Sequence, residues 1–319
     1  MKILELEHVS KRFVQPLDLA GKIARALGAD VSDEVVHAVE DVSFAVHEGE
    51  VVGLVGESGC GKSTLGRMVA GILEPSEGVI RYRGREAAGL KVQMIFQDPF
   101  ASLNPRMRVA DIVGEAPLVH GIVKRDELDA YLAELLARCG LDPSYKPRYP
   151  HQFSGGQRSR IGIARALAVK PEFLVCDEAV AALDVSIQAQ ILNLFMELRR
   201  ALGLTYLFIS HDLGVVEHLS DRVVIMYLGR VVESAAADEI FRAPNHPYTQ
   251  ALLLQVPRLD ARKTRFKPIV GEIPSPLAPP TGCHFHPRCP HAMPRCRVEA
   301  PRLREIASGH LSACHLNEG

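Results

Sequence analysis

The chain has 319 residues, 47% hydrophobic and 24% charged, the make-up of an ordinary globular protein with length for about two domains. Its formal net charge of −1 argues against a nucleic-acid partner, which calls for a basic surplus or patch. There is no run of about 18 apolar residues to cross a membrane and no apolar signal-peptide core at the N-terminus, so a cytoplasmic protein is expected.

The opening Ile3-Leu4-Glu5-Leu6-Glu7-His8-Val9 predicts a strand, and Val42-Ser43-Phe44-Ala45-Val46 a second. Between them residues 14–37 hold a helix-like excursion with Leu17, Ala20, Ala24 and Leu27, read as a surface insertion. The apolar run Val51-Val52-Gly53-Leu54-Val55 then leads into Gly56-Glu57-Ser58-Gly59-Cys60-Gly61-Lys62-Ser63-Thr64, which fits G-x-x-x-x-G-K-[ST]. Leu65, Met68, Val69 and Ile72 follow at helical spacing.

That strand–loop–helix setting is what such a loop needs to hold phosphate. Glycines let successive backbone N–H groups face the phosphate oxygens, and the positive end of the helix dipole points to the same place. Lys62 would bridge the β- and γ-phosphates, and the Ser63 hydroxyl would hold Mg2+. Gly56, Ser58, Gly59, Cys60, Gly61, Lys62, Ser63 and Thr64 are therefore the candidate nucleotide contacts.

From about Ala101 to Arg160 the pattern turns helical. Leu128, Leu132, Leu135, Leu136 and Cys139 form one face, and Gly140 stands where a helix C-cap belongs. Ser154-Gly155-Gly156-Gln157 places two glycines at a helix start, a second phosphate-sized anion site with no second phosphate loop to serve. Phe173-Leu174-Val175-Cys176-Asp177-Glu178 is a short buried strand that delivers two carboxylates, Asp177 suited to Mg2+ and Glu178 to a general base. A helix through Ile187, Ile191, Leu194, Phe195 and Leu198, a strand at Thr205–Ile209 and two strands around Leu228-Gly229-Arg230 complete an alternating pattern. Such alternation implies an α/β sheet with a parallel core. One cradle and one spare anion site in the same chain suggest a dimer in which each partner's Ser-Gly-Gly-Gln closes over the other's nucleotide.

After about Phe241 the composition shifts, and Pro268, Pro274, Pro276, Pro279 and Pro280 suggest a linker into a small tail. Cys60, Cys139 and Cys176 read as scattered packing residues, whereas Cys283, Cys289, Cys296 and Cys314 crowd together as C-x5-C-x6-C-x17-C. In a reducing compartment such a group points to a metal rather than to disulfides.

Across Met1 to about Ser234 these motifs resemble the ABC-type ATPases. The resemblance implies an α/β, RecA-like P-loop NTPase domain over residues 1–240 with a helical subdomain at about 100–165. It gives Gln97, in Ile95-Phe96-Gln97-Asp98-Pro99, the role of the Q-loop glutamine, contacting Mg2+ and water and sensing the membrane partner. Asp184 matches the D-loop aspartate, His211 the switch histidine on the γ-phosphate, and Phe13 the aromatic that stacks on adenine. Ser154 to Gln157 match the signature that acts in trans. Where the family usually reads Asp-Glu-Pro-x-Ser-Ala-Leu-Asp, this chain has Ala179 and Ala181, which removes a stiffening ring and a hydroxyl and puts the rate of hydrolysis in question.

The tail, residues 241–319, resembles the C-terminal extension of the oligopeptide/dipeptide and nickel importer ATPases. The likeness rests on Asn245-His246-Pro247-Tyr248-Thr249-Gln250-Ala251-Leu252, Gly271-Glu272-Ile273-Pro274-Ser275-Pro276 and Gly282-Cys283-His284-Phe285-His286-Pro287-Arg288-Cys289. Within that subfamily the match is to the dipeptide-type second ATPase subunit. The resemblance implies a four-iron four-sulfur cluster on Cys283, Cys289, Cys296 and Cys314. Zinc is the alternative, with His284, His286, His291, His310 or His315 replacing a thiolate.

Together these expectations describe an ATP- and Mg2+-dependent subunit of a di-/oligopeptide importer, peripheral at the cytoplasmic face of the inner membrane. Its implied partners are two transmembrane permease subunits, a second ATPase subunit (related but different, or a copy of this one) and an extracytoplasmic solute-binding protein. Nickel chelates are the alternative cargo. A soluble ABC ATPase acting on ribosomes or DNA is the alternative class, but that class commonly shows paired cassettes or a long coiled-coil insertion, both missing from this sequence.

Overall fold

A computed structural model describes residues 1–18, 27, 33–86, 89–98, 101–255 and 269–318. Most of the expected helix-like excursion, including Ala20 and Ala24, lies outside the described residues, as do Pro99 and Pro268.

Strands β1 (Lys2–Gln15) and β2 (Glu34–His47) pair antiparallel, and β4 (Glu77–Tyr82) joins the other edge of β1 in a three-stranded sheet. The larger sheet has eight strands. Its parallel centre contains β3 (Val51–Val55), β5 (Val92–Ile95), β6 (Phe173–Asp177), β7 (Thr205–Ile209) and β8 (Arg222–Tyr227), ordered β8-β3-β7-β6-β5. β9 (Arg230–Ala236) adds antiparallel to β8, and a hairpin of β10 (Arg304–Ala307) and β11 (His310–Ser312) extends the sheet beyond it.

The central strands are apolar and buried on both faces, as parallel strands covered on each side must be. Their two-residue period sorts the side chains. Leu174, Cys176, Tyr206 and Phe208 face the helical side, meeting Leu132, Leu136, Ile161 and Phe195. Val175, Leu207 and Ile209 face the opposite way, onto Leu4, Leu6, Val42, Leu65 and Met68. Each such side chain contributes roughly 1.5–3 kcal/mol by leaving water.

Helix α1 (Lys62–Val69) follows β3 directly and ends before Ile72, which is exposed. Between β5 and β6 the chain is helical, with α2 (Val109–Val119), α3 (Leu128–Arg138) and α4 (Gly155–Leu167). Gly140, φ 71°, follows the capping Cys139 of α3. Helix α5 (Val185–Leu202) and the shorter α6 (Leu213–Leu219) flank β7 in sequence. No helix of the described residues is long and apolar enough to cross a membrane.

The residue 240/241 boundary falls within α7 (Ala237–Arg242), and α8 (Pro247–Leu253) follows at once. The tail is knit into the larger sheet and shares its packing. Phe285, Tyr248, Leu252 and Leu253 pack with Val55, Tyr227, Val232 and Ile240. The fully buried Glu233 on β9 accepts hydrogen bonds from the backbone N–H of Asn245 and His246, and Nε2 of His310 lies 2.7 Å from its carboxylate. A buried carboxylate needs such partners, and here they fasten α8 and β11 to β9.

Candidate nucleotide-binding site

The loop from Gly56 to Gly61 links the buried β3 to α1. Gly61 caps α1 at φ 101°, a left-handed conformation, and a Cβ there would stand 2.1 Å from the Ala38 carbonyl oxygen. A Cβ on Gly56 would stand 2.2 Å from the Met226 carbonyl oxygen, so both positions need glycine to let the loop wrap against its neighbours.

Lys62 is buried, and its Nζ donates to the carbonyl oxygens of Gly56 at 2.8 Å and Glu57 at 3.0 Å. The Ser63 hydroxyl donates to Asp177 Oδ1 at 2.8 Å, joining the loop to the end of β6. Burial raises the Asp177 pKa, and the Ser63 bond partly offsets that rise. Beside it Glu178, at φ 47°, donates its backbone N–H to Ile209 O at 3.0 Å. Gln97 Nε2 donates to Glu178 Oε2 at 2.7 Å, and His211 Nδ1 lies 3.3 Å from Glu178 Oε1.

These elements border one open cavity. Ser58, Gly59 and the run from Gly61 to Thr64 line it from the loop, with Gln97 and Glu178 beside them. Phe13, Val36 and Ala38 line it from β1 and β2, and Pro276 from the tail. Phe13 pairs with Val36 across the β1–β2 ladder and is 41% exposed, with the Lys11 ammonium 5.3 Å from its ring centre. Ten of the expected positions thus converge here or directly behind it: Phe13, Ser58, Gly59, Gly61, Lys62, Ser63, Thr64, Gln97, Asp177 and Glu178. Cys60 sits behind the loop, buried, its thiol pKa raised by burial. His211 reaches the group through Glu178.

Ser154 to Gln157 do not line this cavity. They start α4 with a reciprocal cap, in which Gln157 N donates to Ser154 Oγ and Ser154 N donates to Gln157 Oε1. A Cβ on Gly156 would stand 2.5 Å from Ile187 Cγ2, so α4 begins pressed against α5. Asp184, exposed, precedes α5 as its N-cap residue without a side-chain cap bond. Ala179 is buried in the helical-side core and Ala181 is exposed, its N–H bonded to Glu178 O.

The tail reaches the same loop, through contacts that sequence reasoning missed. Arg288 Nη1 donates to Glu57 Oε2 at 2.6 Å and Nη2 to Oε1 at 3.0 Å, and Tyr248 Oη accepts from Glu57 N at 2.9 Å. His37 N donates to Pro276 O at 3.0 Å. Glu57 occupied one of the unspecified positions of the loop pattern, and nothing local marks its partner 231 residues away.

Cys283, Cys289, Cys296 and Cys314 line a second, small cavity together with His246, His286, His291 and His315. Burial pushes the Cys283 thiol up to about 11, and charge on the other three thiols adds to the rise. Four thiols on one cavity are a donor set suited to a metal centre. Among the described residues no three His, Cys, Asp or Glu side chains already stand in metal-holding geometry. Two of the candidate histidines face elsewhere: His284 donates from Nδ1 to Leu228 O, and His310 is engaged with Glu233.

A mixed sheet with a phosphate loop at the end of β3 and an acidic pair at the end of β6, one strand removed from β3 across β7, defines a P-loop NTPase. Sequence comparison narrows that class. The chain matches the ABC transporter family over residues 39–181 and the oligopeptide/dipeptide transporter C-terminal region over residues 232–296. It is 49% identical over 329 aligned positions to the oligopeptide transport ATP-binding protein AppF of Bacillus subtilis, covering 98% of this chain and 97% of that one. It is 49% identical to a probable peptide ABC transporter ATP-binding protein, y4tS, of Sinorhizobium fredii, over 88% of this chain and 83% of the relative. Among solved structures, cbiO1 of Clostridium perfringens, part of the cbiONQ ABC transporter complex, superposes with a TM-score of 0.61 at 27% identity. The overlap covers 76% of this chain and 91% of cbiO1. The ATP-binding cassette MJ0796, a dimer with ADP and Pi, gives 0.61 at 26% identity over 73% and 98% of the two chains. The chain belongs to the ABC transporter ATP-binding family, in the branch that carries the oligopeptide/dipeptide C-terminal region.

Proposed function

We propose that this protein binds and hydrolyses ATP to drive uptake of di- or oligopeptides through two transmembrane permease subunits, from the cytoplasmic face of the membrane. The observation that carries the reading is the presence, in one chain, of the phosphate-loop cavity and the oligopeptide/dipeptide C-terminal region. An extracytoplasmic solute-binding protein supplies the cargo.

In this reading Lys62 leaves the Gly56 and Glu57 carbonyls for the phosphates, and Phe13 stacks on the adenine. Ser63 and Asp177, already 2.8 Å apart, hold Mg2+ with Gln97, and the ion screens the phosphate charge. Glu178 accepts the proton of the attacking water, with Gln97 and His211 orienting it. Ser154 to Gln157, which do not line their own chain's cavity, close over the nucleotide of a second ATPase subunit, a related but different chain or a copy of this one, and Asp184 lies along that contact. Closing and reopening this dimer switches the permease. The nucleotide-binding domain is residues 1–240, with the helical subdomain of α2–α4 at about 100–165 carrying the permease-facing surface near Gln97. Residues 241–319 are the Cys-rich extension, where Cys283, Cys289, Cys296 and Cys314 hold a four-iron four-sulfur cluster, or zinc, in a structural role.

The test is uptake of a labelled dipeptide by source cells lacking redundant peptide importers and carrying the native chain or Glu178→Gln. Loss of uptake in the variant supports ATP-driven peptide import. Unchanged uptake with the variant present removes peptides and makes nickel chelates the cargo to assay next.

A further inference from the structure

The nucleotide cavity has one wall that the phosphate-loop pattern does not account for. Pro276, from the tail, lines it beside Phe13, Val36 and Ala38. The position of Pro276 is set by its carbonyl oxygen, which accepts from His37 N between Val36 and Ala38 on β2. Ser58, Gly59 and the run from Gly61 to Thr64 line the phosphate side of the same cavity, and in the nucleotide reading the wall that holds Phe13 is the base-binding end.

The tail also grips the loop. The Arg288 guanidinium takes both oxygens of Glu57, and only 4% of the Arg288 side chain is exposed. Two-pronged pairing of this kind fixes direction as well as distance. Tyr248 Oη accepts the backbone N–H of Glu57. Both residues stand on a packed aromatic cluster. Tyr227, Tyr248 and Phe285 have ring centres 4.7–5.4 Å apart, and the Arg288 guanidinium lies 5.8 Å from the Tyr227 ring. Glu57 is thus held at its side chain and its backbone by residues beyond the matched ATPase region, which ends at residue 181.

We propose that the C-terminal extension is a working part of the nucleotide site: Pro276 contacts the base beside Phe13, and Arg288 is a positioning residue that sets the phosphate loop through Glu57. The inference rests on the nucleotide reading of the cavity. It makes nucleotide affinity a property of the tail as well as of the cassette, and separates the two contributions chemically. Pro276 senses only ligands with a base, whereas Arg288 senses anything with a polyphosphate.

The test measures Kd for ATP and for inorganic tripolyphosphate on the full chain, native, Pro276→Ala and Arg288→Met. Alanine keeps the carbonyl that His37 uses and removes the ring. Pro276→Ala is expected to weaken ATP about three- to tenfold, the size of losing part of one apolar contact, and to leave tripolyphosphate unchanged. Arg288→Met is expected to weaken both ligands by a similar factor, about fivefold or more. Equal ATP affinity in the native chain and Pro276→Ala overturns the inference, as does an equal loss for both ligands in that variant. Should Arg288→Met not fold, Pro276→Ala decides alone. A native chain that binds no ATP overturns the nucleotide reading instead.

Discussion

Ser63 Oγ donates to Asp177 Oδ1 at 2.8 Å, across 114 residues of sequence, and so ties the phosphate loop to the strand that ends in the acidic pair. The carboxylate is held in a site whose burial raises its pKa. In the proposed function a divalent cation shared by the hydroxyl and the carboxylate would relieve the cost of that buried charge.

Replacing Asp177 by Asn therefore separates stability from function. Because the folded pKa is raised above the unfolded value, the ionised form costs stability at neutral pH and the cost vanishes only below the unfolded pKa. Asp177→Asn is expected to melt above the native chain without Mg2+ and nucleotide, while Mg2+-dependent ATP affinity falls by about 10- to 100-fold, the loss of one charge-assisted contact. Calorimetric melting and titration of the same two samples check both halves.

Lys62→Ala removes the one ammonium among the described residues lining the cradle. ATP affinity is expected to fall by about 100-fold or more, the scale of a lost charge-assisted contact to phosphate. Titration calorimetry reads it directly, and near-native affinity would refute the cradle.

Glu178→Gln keeps the shape of the side chain that Gln97 contacts while removing its basicity. Turnover is expected to fall by about 10²–10⁴-fold with ATP still bound, and ATP-loaded protein, alone or mixed with its related ATPase subunit, is expected to elute as a dimer of ATPase subunits. Phosphate release and gel filtration test this, and native turnover would remove Glu178 as the base.

Glu172 carries the clearest pH dependence. Its hydrogen bonds with Lys91, Tyr82 and Arg83 lower its pKa to about 2 from an ordinary 4.5. A depressed carboxylate pKa gives stability that is complete above the unfolded value and is lost as pH falls through it toward the folded one. The melting gap between the native chain and Glu172→Gln is expected to be constant from pH 7 to about 5 and to close between about 4.5 and 2. The pair network is half-exposed, so the gap corresponds to about 1 kcal/mol or less.

Cys289→Ser removes one of four thiols on the tail cavity. Purified native protein is expected to be brown with iron and acid-labile sulfide, and the variant to lose the colour and melt lower. Zinc in place of iron would select the other centre, and full iron with an unchanged melting curve would end the ligand assignment.

The parts of the site that were legible in the sequence are those encoded locally. The phosphate loop, the Asp177-Glu178 end of β6 and the α4 cap each depend on neighbours within a few residues, so residue type and spacing announce them. The strands β1 and β2 run on to Gln15 and back to Glu34, past the apolar stretches that suggested them, because pairs such as Arg12–His37 and Gln15–Glu34 add backbone bonds without adding hydrophobic signal. The β10–β11 hairpin was invisible for a similar reason. Arg304-Glu305-Ile306-Ala307 has no sustained alternation, and the β11 strand it pairs with is fixed by β9, an edge strand formed about 80 residues earlier. The Arg288–Glu57 contact has no local trace at all.

The tail hairpin has a consequence for solubility. A sheet that stopped at β9 would present a free row of backbone donors and acceptors along an apolar strand, the template on which chains stack edge to edge. β11 occupies that edge at Ser234 and Glu233, while the opposite border of the sheet is the four-residue β5. A chain cut before β10 keeps every expected phosphate-binding residue but loses Cys314 and His310 and gains a sticky border, so precipitation would come before any defect in its phosphate chemistry.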